Sequence, residues 1–414
     1  MGNSVAIIGA SLAGVNAAGG LRRHGYDGRI VLIGDEPELP YDRPPLSKDF
    51  LLGAKSDADV RLHPDSFYVD NAIELRAGSR VARLLPGEGG FELDGSGEVL
   101  RVDDVVLATG AAPIRLPVAG CELDGVFYLR TLSDAIALRD NLATASSVVV
   151  VGGGFVGTEI AASAAALGKS VTIVEREPEI LGRVLPRDLA ALIAEVHSEK
   201  GVRVLRGQTV TGIGGSTVVR HVELSDGSRI EADLVVIGIG VRPATELAAE
   251  IGIACDNGVI VDEYCRTSLK NVYAAGDVAS FPDPILSRRI RLEHWKHAQN
   301  QGLAVAMSIV GEERPYQEVP WFWSHQFEHD IQLAGHIEGA DSKVVRGDVD
   351  AARFCTLYLR DRAVVGAFGF NAGRDVRGAM ELIRTAASVT AAELADPSVD
   401  LRRLGRAGTA SITS

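Results

Sequence analysis

The chain has 414 residues, of which 46% are hydrophobic and 46 are glycine, and its formal net charge is −13. A chain of this length is too long to fold around a single hydrophobic core, so we expect two or three domains. The negative charge argues against nucleic acid as a partner. No apolar run approaches the roughly 18 residues of a membrane span, and no charged leader precedes the first strand, which favours a cytoplasmic protein that does not bind membranes. Four dispersed cysteines without metal-ligand spacing fit a reduced compartment and predict no metal site.

The first predicted strand, Val5–Ile8, runs into a glycine-rich turn, Gly9–Gly14, that opens an alanine-rich helical pattern. Glycines at such a turn let the backbone approach a pyrophosphate, whose charge the helix N-terminus stabilises. Asp35 follows the next strand, about 20 residues on, where an acidic side chain binds ribose hydroxyls. Ser11 replaces the middle glycine of the motif. Either its hydroxyl donates to a phosphate, or the turn is degenerate and binds through backbone amides alone, and both readings predict a dinucleotide site.

The segment Pro40–Lys48 contains three prolines that restrict how Arg43 and Lys48 are presented. These cations either neutralise a pyrophosphate and stabilise a reduced flavin, or they belong to a solvated surface turn. A β-rich region follows and ends in a strand directly before Thr109 and Gly110.

A second copy of the strand-turn-helix pattern begins at Val148–Val151 and continues through the turn Gly152–Gly157. Glu175 ends the following strand, where a carboxylate accepts from a ribose 2′-hydroxyl and repels a 2′-phosphate. The second ligand should therefore be NAD rather than NADP, although the neighbouring Arg176 would blunt that discrimination. Two such turns in one chain predict two dinucleotides, and a flavin beside a nicotinamide would permit hydride transfer.

The β-rich run recurs between residues 202 and 237, which indicates a duplicated nucleotide-binding unit. A further strand stops at Gly276-Asp277. From Pro320 onward, alternating strands and a helix after Gly373 predict a third domain, followed by a poorly ordered tail. The predicted fold class is α/β, with two Rossmann-like dinucleotide-binding domains plus a C-terminal α+β domain.

Six segments together resemble the FAD-dependent ferredoxin reductases of bacterial oxygenase systems, which have a glutathione-reductase-like fold. The similarity extends from Val5 to about Leu382. With this resemblance, the expected domains are a discontinuous FAD-binding domain (1–110 and 245–319), an NAD-binding domain (111–244), a C-terminal domain (320–402) and a flexible tail (403–414). The segments that carry the resemblance are Gly9–Gly14, Pro40–Lys48, Ala108–Gly110, Gly152–Glu159, Ala274–Asp277 and Trp321–Ser324.

The glycine patterns and the resemblance together assign residues to both cofactors. Asp277 would bind the ribityl chain or the pyrophosphate, and Trp295 would begin a helix whose amides face the flavin pyrimidine ring. The FAD set is Gly9, Ser11, Ala13, Gly14, Asp35, Arg43, Lys48, the main chain at Val81, Thr109, Gly110, Arg130, Asp277 and Trp295. The NAD set is Gly152, Gly154, Phe155, Val156, Gly157, Glu159, Glu175, Gly238 and Glu293, the last holding the nicotinamide carboxamide.

The resemblance also implies that Glu159 lies near the nicotinamide and pairs with Lys48, as the two catalytic residues. The alternative is an ordinary glutamate near a helix start, favoured there by the helix dipole. No cysteine lies in Pro44–Leu52, where disulfide reductases, NADH oxidases and peroxidases of this fold carry theirs. Electrons are therefore expected to leave the flavin without protein thiol chemistry.

The predicted acceptor is a 2Fe-2S ferredoxin that supplies a haem-thiolate mono-oxygenase or a ring-hydroxylating dioxygenase. Ferredoxins are usually acidic, as is this chain, so a local basic patch should steer docking. A solvated charge run is the equal alternative for that patch. The patch consists of Arg288, Arg289, Arg291 and Lys296.

Two other functions stay open, a redox-sensing protein of the apoptosis-inducing-factor type and a rubredoxin reductase. We expect the protein to be a monomer or a weak homodimer.

Overall fold

The first part of the chain alternates parallel strands with helices, as predicted. The computed structural model describes residues 4–87, 90–95 and 98–410. Val5, Ala6 and Ile7 are fully buried, because the strand that contains them has neighbours on both sides and helices on its faces. The elements up to residue 113 are β1 Ser4–Ile8, α1 Leu12–Arg23, β2 Arg29–Ile33, a 3₁₀ turn Pro44–Ser47, α2 Asp65–Asp70, β3 Ile73–Arg76, β4 Arg83–Gly87, β5 Gly90–Gly95, β6 Glu98–Val102, β7 Asp104–Leu107 and β8 Ala111–Pro113.

The second part repeats this order of events around a second parallel sheet. Its elements are β9 Val126–Phe127, α3 Leu132–Thr144, β10 Ser147–Val151, α4 Phe155–Ala166, β11 Ser170–Glu175, α5 Arg187–Glu199, β12 Arg203–Arg206, β13 Val210–Gly215, β14 Val219–Leu224, β15 Arg229–Glu231, β16 Leu234–Ile237 and β17 Val241–Pro243. The second sheet has the order β12-β11-β10-β16-β9, and a three-stranded antiparallel sheet, β13-β14-β15, accompanies it.

The chain then returns to the first sheet. The returning elements are α6 Glu246–Glu250, β18 Val259–Ile260, β19 Val272–Ala274, β20 Ala279–Asp283, β21 Arg288–Ile290 and α7 Trp295–Ile309. Strand β19 pairs in parallel with β7 and completes the order β19-β7-β1-β2-β3. Helix α7 packs closely on α1, since a Cβ at Gly302 would lie 2.3 Å from the carbonyl oxygen of Ala13.

The two crossings between the parallel sheets lie side by side. Strand β8 leaves the first module and pairs antiparallel with β17, which returns to it. Beside this pair, Thr109 Oγ1 donates to the carbonyl oxygen of Ala244 at 2.7 Å. The division of the chain that we propose at residues 110 and 244 coincides with these crossings.

The C-terminal part is an antiparallel sheet with helices against one face. Its elements are β22 Trp321–Gln326, β23 His329–Gly335, β24 Ser342–Asp348, β25 Arg353–Arg360, β26 Ala363–Phe370, α8 Gly373–Thr385, α9 Ala391–Ala395 and α10 Leu401–Ala410. The sheet order is β22-β23-β26-β25-β24. The predicted fold class, two Rossmann-like units plus an α+β domain, is confirmed. Among the described helices, none has both the length and the apolar character needed to cross a bilayer.

The flexible tail expected from residue 403 is wrong for the described part of the chain, because α10 continues to residue 410. Leu401 is 3% exposed and lies against α8, where a Cβ at Gly378 would be 2.8 Å from the Cβ of Leu401. The buried Arg346 also holds the approach to this helix by donating to the carbonyl oxygens of Leu394 and Val399. Residues 411–414 lie outside the described residues.

Candidate functional site

The first glycine turn is too tight for any other residue at two positions. Gly9 has φ +117°, and a Cβ there would lie 2.0 Å from the carbonyl oxygen of Ala108. A Cβ at Gly14 would lie 1.9 Å from the carbonyl oxygen of Gly9. Ser11 precedes α1, and its side chain makes no capping hydrogen bond within the described residues. The hydroxyl is therefore available to a ligand, and the cradle fits a pyrophosphate at a helix N-terminus.

Two remote segments converge beside this turn. Arg130 pairs with Asp277 at 3.0 Å, and Gly276 brings that aspartate close to α1, since a Cβ at 276 would lie 2.9 Å from the Cβ of Ala13. Gly110 also lies here, with its Cβ position 3.5 Å from a guanidinium nitrogen of Arg130. The residues proposed to bind the ribityl chain and the pyrophosphate thus lie together, although they come from three parts of the sequence.

Arg43, which is predicted to help neutralise the pyrophosphate, is not a solvated surface charge but has partners within the protein. Its guanidinium pairs with Glu36 at 2.5 Å and also donates to the carbonyl oxygen of Arg130. Glu36 in addition accepts from the hydroxyl of Tyr41. These bonds fix the proline-rich loop against Arg130, and the contact of Arg43 with FAD stays a prediction. Asp35 is exposed at the end of β2, on the edge where the turn lies.

Trp295 is the first residue of α7, as the sequence suggests for a helix start facing a ligand. Its indole Nε1 donates to Asp42 Oδ1 at 2.6 Å, a contact with no sequence signal because the two residues are far apart in the chain. His294 precedes the helix, and burial lowers its pKa to about 4, so the imidazole is neutral at pH 7. Val81 is buried near the same sheet, and Thr109 is held by its bond to Ala244.

The second glycine turn has the same backbone constraints but is more open. Gly152 has φ +103°, and a Cβ there would lie 2.4 Å from the carbonyl oxygen of Gly238, while one at Gly157 would lie 2.1 Å from the carbonyl oxygen of Gly152. At Gly154, by contrast, no heavy atom of the described residues lies within 4 Å of the Cβ position. Val156 is 45% exposed at the start of α4. This turn therefore leaves room for a ligand to approach from solvent.

Glu175 lies beside this turn, as predicted from its position at the end of β11. One carboxylate oxygen accepts from the amide of Gly153 at 2.6 Å and the other from the amide of Glu177 at 2.7 Å. Arg176 points elsewhere, because it pairs with Glu177 at 3.0 Å and is 64% exposed. The carboxylate, rather than the arginine, faces the turn.

Lys48 and Glu159 meet, as the resemblance implies, whereas the catalytic role of the pair stays a prediction. Lys48 Nζ lies 2.8 Å from Glu159 Oε2, which also accepts from Ser47 Oγ at 2.5 Å. Glu159 Oε1 accepts from Ser324 Oγ at 2.7 Å. Both members of the pair are largely buried, with side chains 13% and 7% exposed. Sequence reasoning missed Ser47 and Ser324, although both lie within segments that it singled out.

Phe155, the next residue of the proposed NAD set, contacts the C-terminal domain. Its ring lies edge-on to Phe322 at 4.5 Å between centroids, and Phe322 contacts the ring of His294 at 4.7 Å. Glu293 is 45% exposed and pairs with Arg291 at 2.8 Å. These contacts place the start of α4, the start of α7 and strand β22 in one neighbourhood.

The predicted docking patch is not a surface of unpaired cations. Arg291 is only 9% exposed and donates to the carbonyl oxygen of Asp277 as well as pairing with Glu293. Arg289 donates to two backbone carbonyl oxygens, those of Val261 and Ser280. Both guanidiniums therefore already have partners within the protein, Arg289 next to β20 and Arg291 beside Asp277. Arg288 is exposed but pairs with Glu338, and Lys296 donates to Gln299.

Comparison with known proteins agrees with this geometry. Residues 3–302 match the family described as pyridine nucleotide-disulphide oxidoreductase, and residues 321–405 match the reductase C-terminal family. The chain is 39% identical to rhodocoxin reductase of Rhodococcus erythropolis over 402 residues, covering 96% of this chain and 93% of that protein. It is 38% identical to the benzene 1,2-dioxygenase system ferredoxin–NAD(+) reductase subunit of Pseudomonas putida, covering 98% of each. The crystal structure of the covalent putidaredoxin reductase–putidaredoxin complex superposes with a TM-score of 0.94 at 34% identity, covering 99% of each chain.

Proposed function

This chain belongs to the pyridine nucleotide-disulphide oxidoreductase family, and from that premise we propose that it is an NADH-dependent ferredoxin reductase. It passes electrons from NADH through FAD to a 2Fe-2S ferredoxin that supplies an oxygenase. Full-length similarity to named ferredoxin reductases of dioxygenase systems supports this function over a redox-sensing role. FAD, when bound, accepts a hydride and releases its electrons one at a time, which supplies the chemistry that the side chains lack.

The observation that carries the proposal is the contact between the two modules at Lys48 and Glu159. Lys48 ends the proline-rich segment that follows β2 of the first module, and Glu159 lies near the start of the helix that the second turn opens. A residue from each cofactor site therefore lies within one hydrogen bond of the other. This proximity is what direct transfer between two bound dinucleotides requires.

The remaining site residues would bind and orient FAD and NADH rather than exchange protons with them. The amides at the start of α1, the hydroxyl of Ser11 and the pair Arg130–Asp277 would hold the FAD pyrophosphate and ribityl chain. The amides at the start of α7 would face the pyrimidine ring, where negative charge develops on reduction. The second turn and Glu175 would hold NADH.

No thiol relay enters the mechanism. All four cysteines are free in the structure, and none lies in the segment 44–52, which contains Lys48. The chain thus shares the nucleotide-binding architecture of its family while lacking the cysteine pair from which disulfide exchange would start.

For the ferredoxin we propose docking near Arg288 and Lys296. Charge reversal at Arg288 is a clean test, because its side chain is exposed and its partner Glu338 is also on the surface. Arg288→Glu should raise the KM for ferredoxin several-fold at low salt and less at high salt. Arg289→Glu would not test docking, since it would remove two bonds to backbone carbonyls.

Anaerobic rapid mixing of the FAD-loaded protein with NADH tests the proposed function. The flavin absorbance should bleach as a long-wavelength charge-transfer band appears. The reduced protein should then turn over with a 2Fe-2S ferredoxin faster than with rubredoxin. A flavin that stays oxidised under excess NADH would overturn the proposal, and preference for rubredoxin would change the acceptor.

A further inference from the structure

A buried hydrogen-bond network connects the Lys48–Glu159 pair to the C-terminal domain. Ser324, on β22, is fully buried and donates to Glu159 Oε1 at 2.7 Å. The other carboxylate oxygen is shared by Lys48 and Ser47. One carboxylate therefore receives donors from the first module and from the C-terminal domain, while its own helix belongs to the second module.

The network continues behind Ser324 through Gln326 to α5. Gln326 Nε2 lies 3.1 Å from Ser324 Oγ and 2.9 Å from Thr158 Oγ1, and its Oε1 lies 2.8 Å from Nε2 of His197. Burial lowers the pKa of His197, which keeps the ring neutral. Since the amide oxygen can only accept, Nε2 of the neutral ring carries the proton.

This assignment gives the network a direction. His197 donates to Gln326, and the amide group of Gln326 donates to Ser324. The hydroxyl of Ser324 accepts from Gln326 and has one proton of its own to donate. That proton goes to Glu159, because a carboxylate oxygen accepts. The carboxylate is thereby fixed about its own side-chain torsions, with Oε2 held toward Lys48 and Ser47.

We propose that Ser324 is a positioning residue for hydride transfer, with Gln326 and His197 fixing its hydroxyl. The C-terminal domain would thus act on the NADH-dependent half of the reaction through Glu159. This inference rests on the proposed function. The alternative is that the network only binds the domains together, in which case its loss would lower stability and leave the transfer rate unchanged.

The test compares Ser324→Ala with Ser308→Ala in the FAD-loaded protein. Ser308 is a matched control because it is also buried and also makes one hydrogen bond of 2.7 Å, to the carbonyl oxygen of Tyr264. Ser324→Ala should slow flavin reduction at saturating NADH by about tenfold, with the dissociation constant for NAD⁺ changed less than about threefold. Ser308→Ala should leave both unchanged.

Two measurements distinguish a positioning role of Ser324 from a role in holding the domains together. In Ser324→Ala the midpoint potential of the flavin should become more negative, because Lys48 is held less firmly. Electron transfer from the chemically reduced protein to ferredoxin should not become slower, since a more negative potential raises its driving force. The effect of Ser324→Ala should also shrink to less than about twofold in a Glu159→Gln background, since the serine acts through that carboxylate.

An unchanged reduction rate and potential in FAD-loaded Ser324→Ala would overturn the inference. If that variant fails to retain FAD, Gln326→Met decides the question, because it removes the donor to Ser324 while leaving Ser324 in place. It should slow reduction by about threefold, and an unchanged rate would again overturn the inference. Failure of the wild-type protein to be reduced by NADH would instead count against the proposed function.

Discussion

The two nucleotide-binding modules share a backbone design but differ in what covers them. In both, the turn glycine lies against the residue after a central strand, Ala108 in the first module and Gly238 in the second. Beside the first turn, the segment at Gly276 and helix α7 both pack on Ala13, with the Cβ position of Gly302 lying 2.3 Å from the carbonyl oxygen of Ala13. The second turn has open space beside Gly154. We infer that one turn geometry can hold a resident cofactor in the first module and an exchanging one in the second, depending on the segments packed around it.

The duplication extends to the strand ends. Asp103 accepts from the amide and hydroxyl of Ser4 at 2.8 and 2.7 Å, and Asp233 accepts from those of Ser147 at 3.0 Å each. The strand registers then continue in parallel, but the next residue differs in type between the modules. Asp104 pairs with Val5 at the position where Leu234 pairs with Val148. The first module thus carries a carboxyl where the second carries a buried leucine.

The largest expected effects come from matched substitutions in the two turns. Gly9→Ala and Gly152→Ala both place a Cβ within 2.4 Å of a carbonyl oxygen at positive φ. Gly9→Ala should yield a colourless protein that does not retain FAD. Gly152→Ala should stay yellow but be reduced by NADH at least about 100-fold more slowly.

The control for this pair is Gly154→Ala, which meets no atom of the described residues within 4 Å and should cost less than about tenfold. Flavin content and reduction rate are the measurements. A Gly9→Ala protein with full flavin occupancy would remove the distinction between a resident and an exchanging site.

The second prediction concerns the acidic residue after each turn. Glu175→Gln should lower the preference for NADH over NADPH by about tenfold, because the carboxylate that repels a 2′-phosphate is lost while the amide oxygen still accepts one backbone bond. Asp35→Asn, the matched change in the first module, should leave that preference unchanged. Steady-state kcat/KM with both nucleotides measures this, and an unchanged ratio in Glu175→Gln would place the discrimination elsewhere.

The third prediction uses the difference at Asp104. Burial, with the nearby charge of Asp103, raises the pKa of Asp104 to about 6. A raised carboxyl pKa means that the ionised form is disfavoured in the folded protein, so stability falls as pH rises from about 4 to about 6. Asp104→Asn should remove this fall and stabilise the protein on the order of 1–2 kcal/mol at pH 7, with no gain at pH 4.

Thermal unfolding midpoints at pH 4 and pH 7 provide the measurement. Asp103→Asn is the matched control and should gain less at pH 7 than Asp104→Asn, because the relief of repulsion toward Asp104 is offset by weaker bonds to Ser4. A gain in Asp104→Asn that is equal at both pH values would contradict the assignment to ionisation.

The smallest expected effect is that of Arg176→Ala. This guanidinium is paired with Glu177 and faces away from the turn, so the ratio of kcat/KM for NADPH to that for NADH should change by less than about threefold. A larger loss of NADPH activity would show that Arg176 turns toward the ligand.

The sequence predicts the turns and misses the contacts that enclose them, for physical reasons. Gly9, Gly152 and Glu175 are recognisable because strand, turn and helix follow one another within about 25 residues, so local pattern determines the geometry. The bond from Ser324 to Glu159 joins residues 165 apart, and nothing in either segment marks it. Arg291 looks like a surface cation in a basic run, yet the backbone carbonyl of Asp277 and the carboxylate of Glu293 bind it. The helix at 401–410 is not predicted from the sequence, because its glycine- and alanine-rich composition resembles that of a linker. Leu401 and Leu404 nevertheless pack against the core of the C-terminal domain.

The central claim is that NADH and FAD meet at Lys48–Glu159 and that the chain has no further redox centre. An anaerobic titration of the FAD-loaded protein with NADH, followed by its absorbance spectrum, tests this most directly. One equivalent of NADH per FAD should complete the reduction, and no additional thiol groups should appear. Consumption of a second equivalent with a gain of two thiols would reveal a disulfide relay and contradict it.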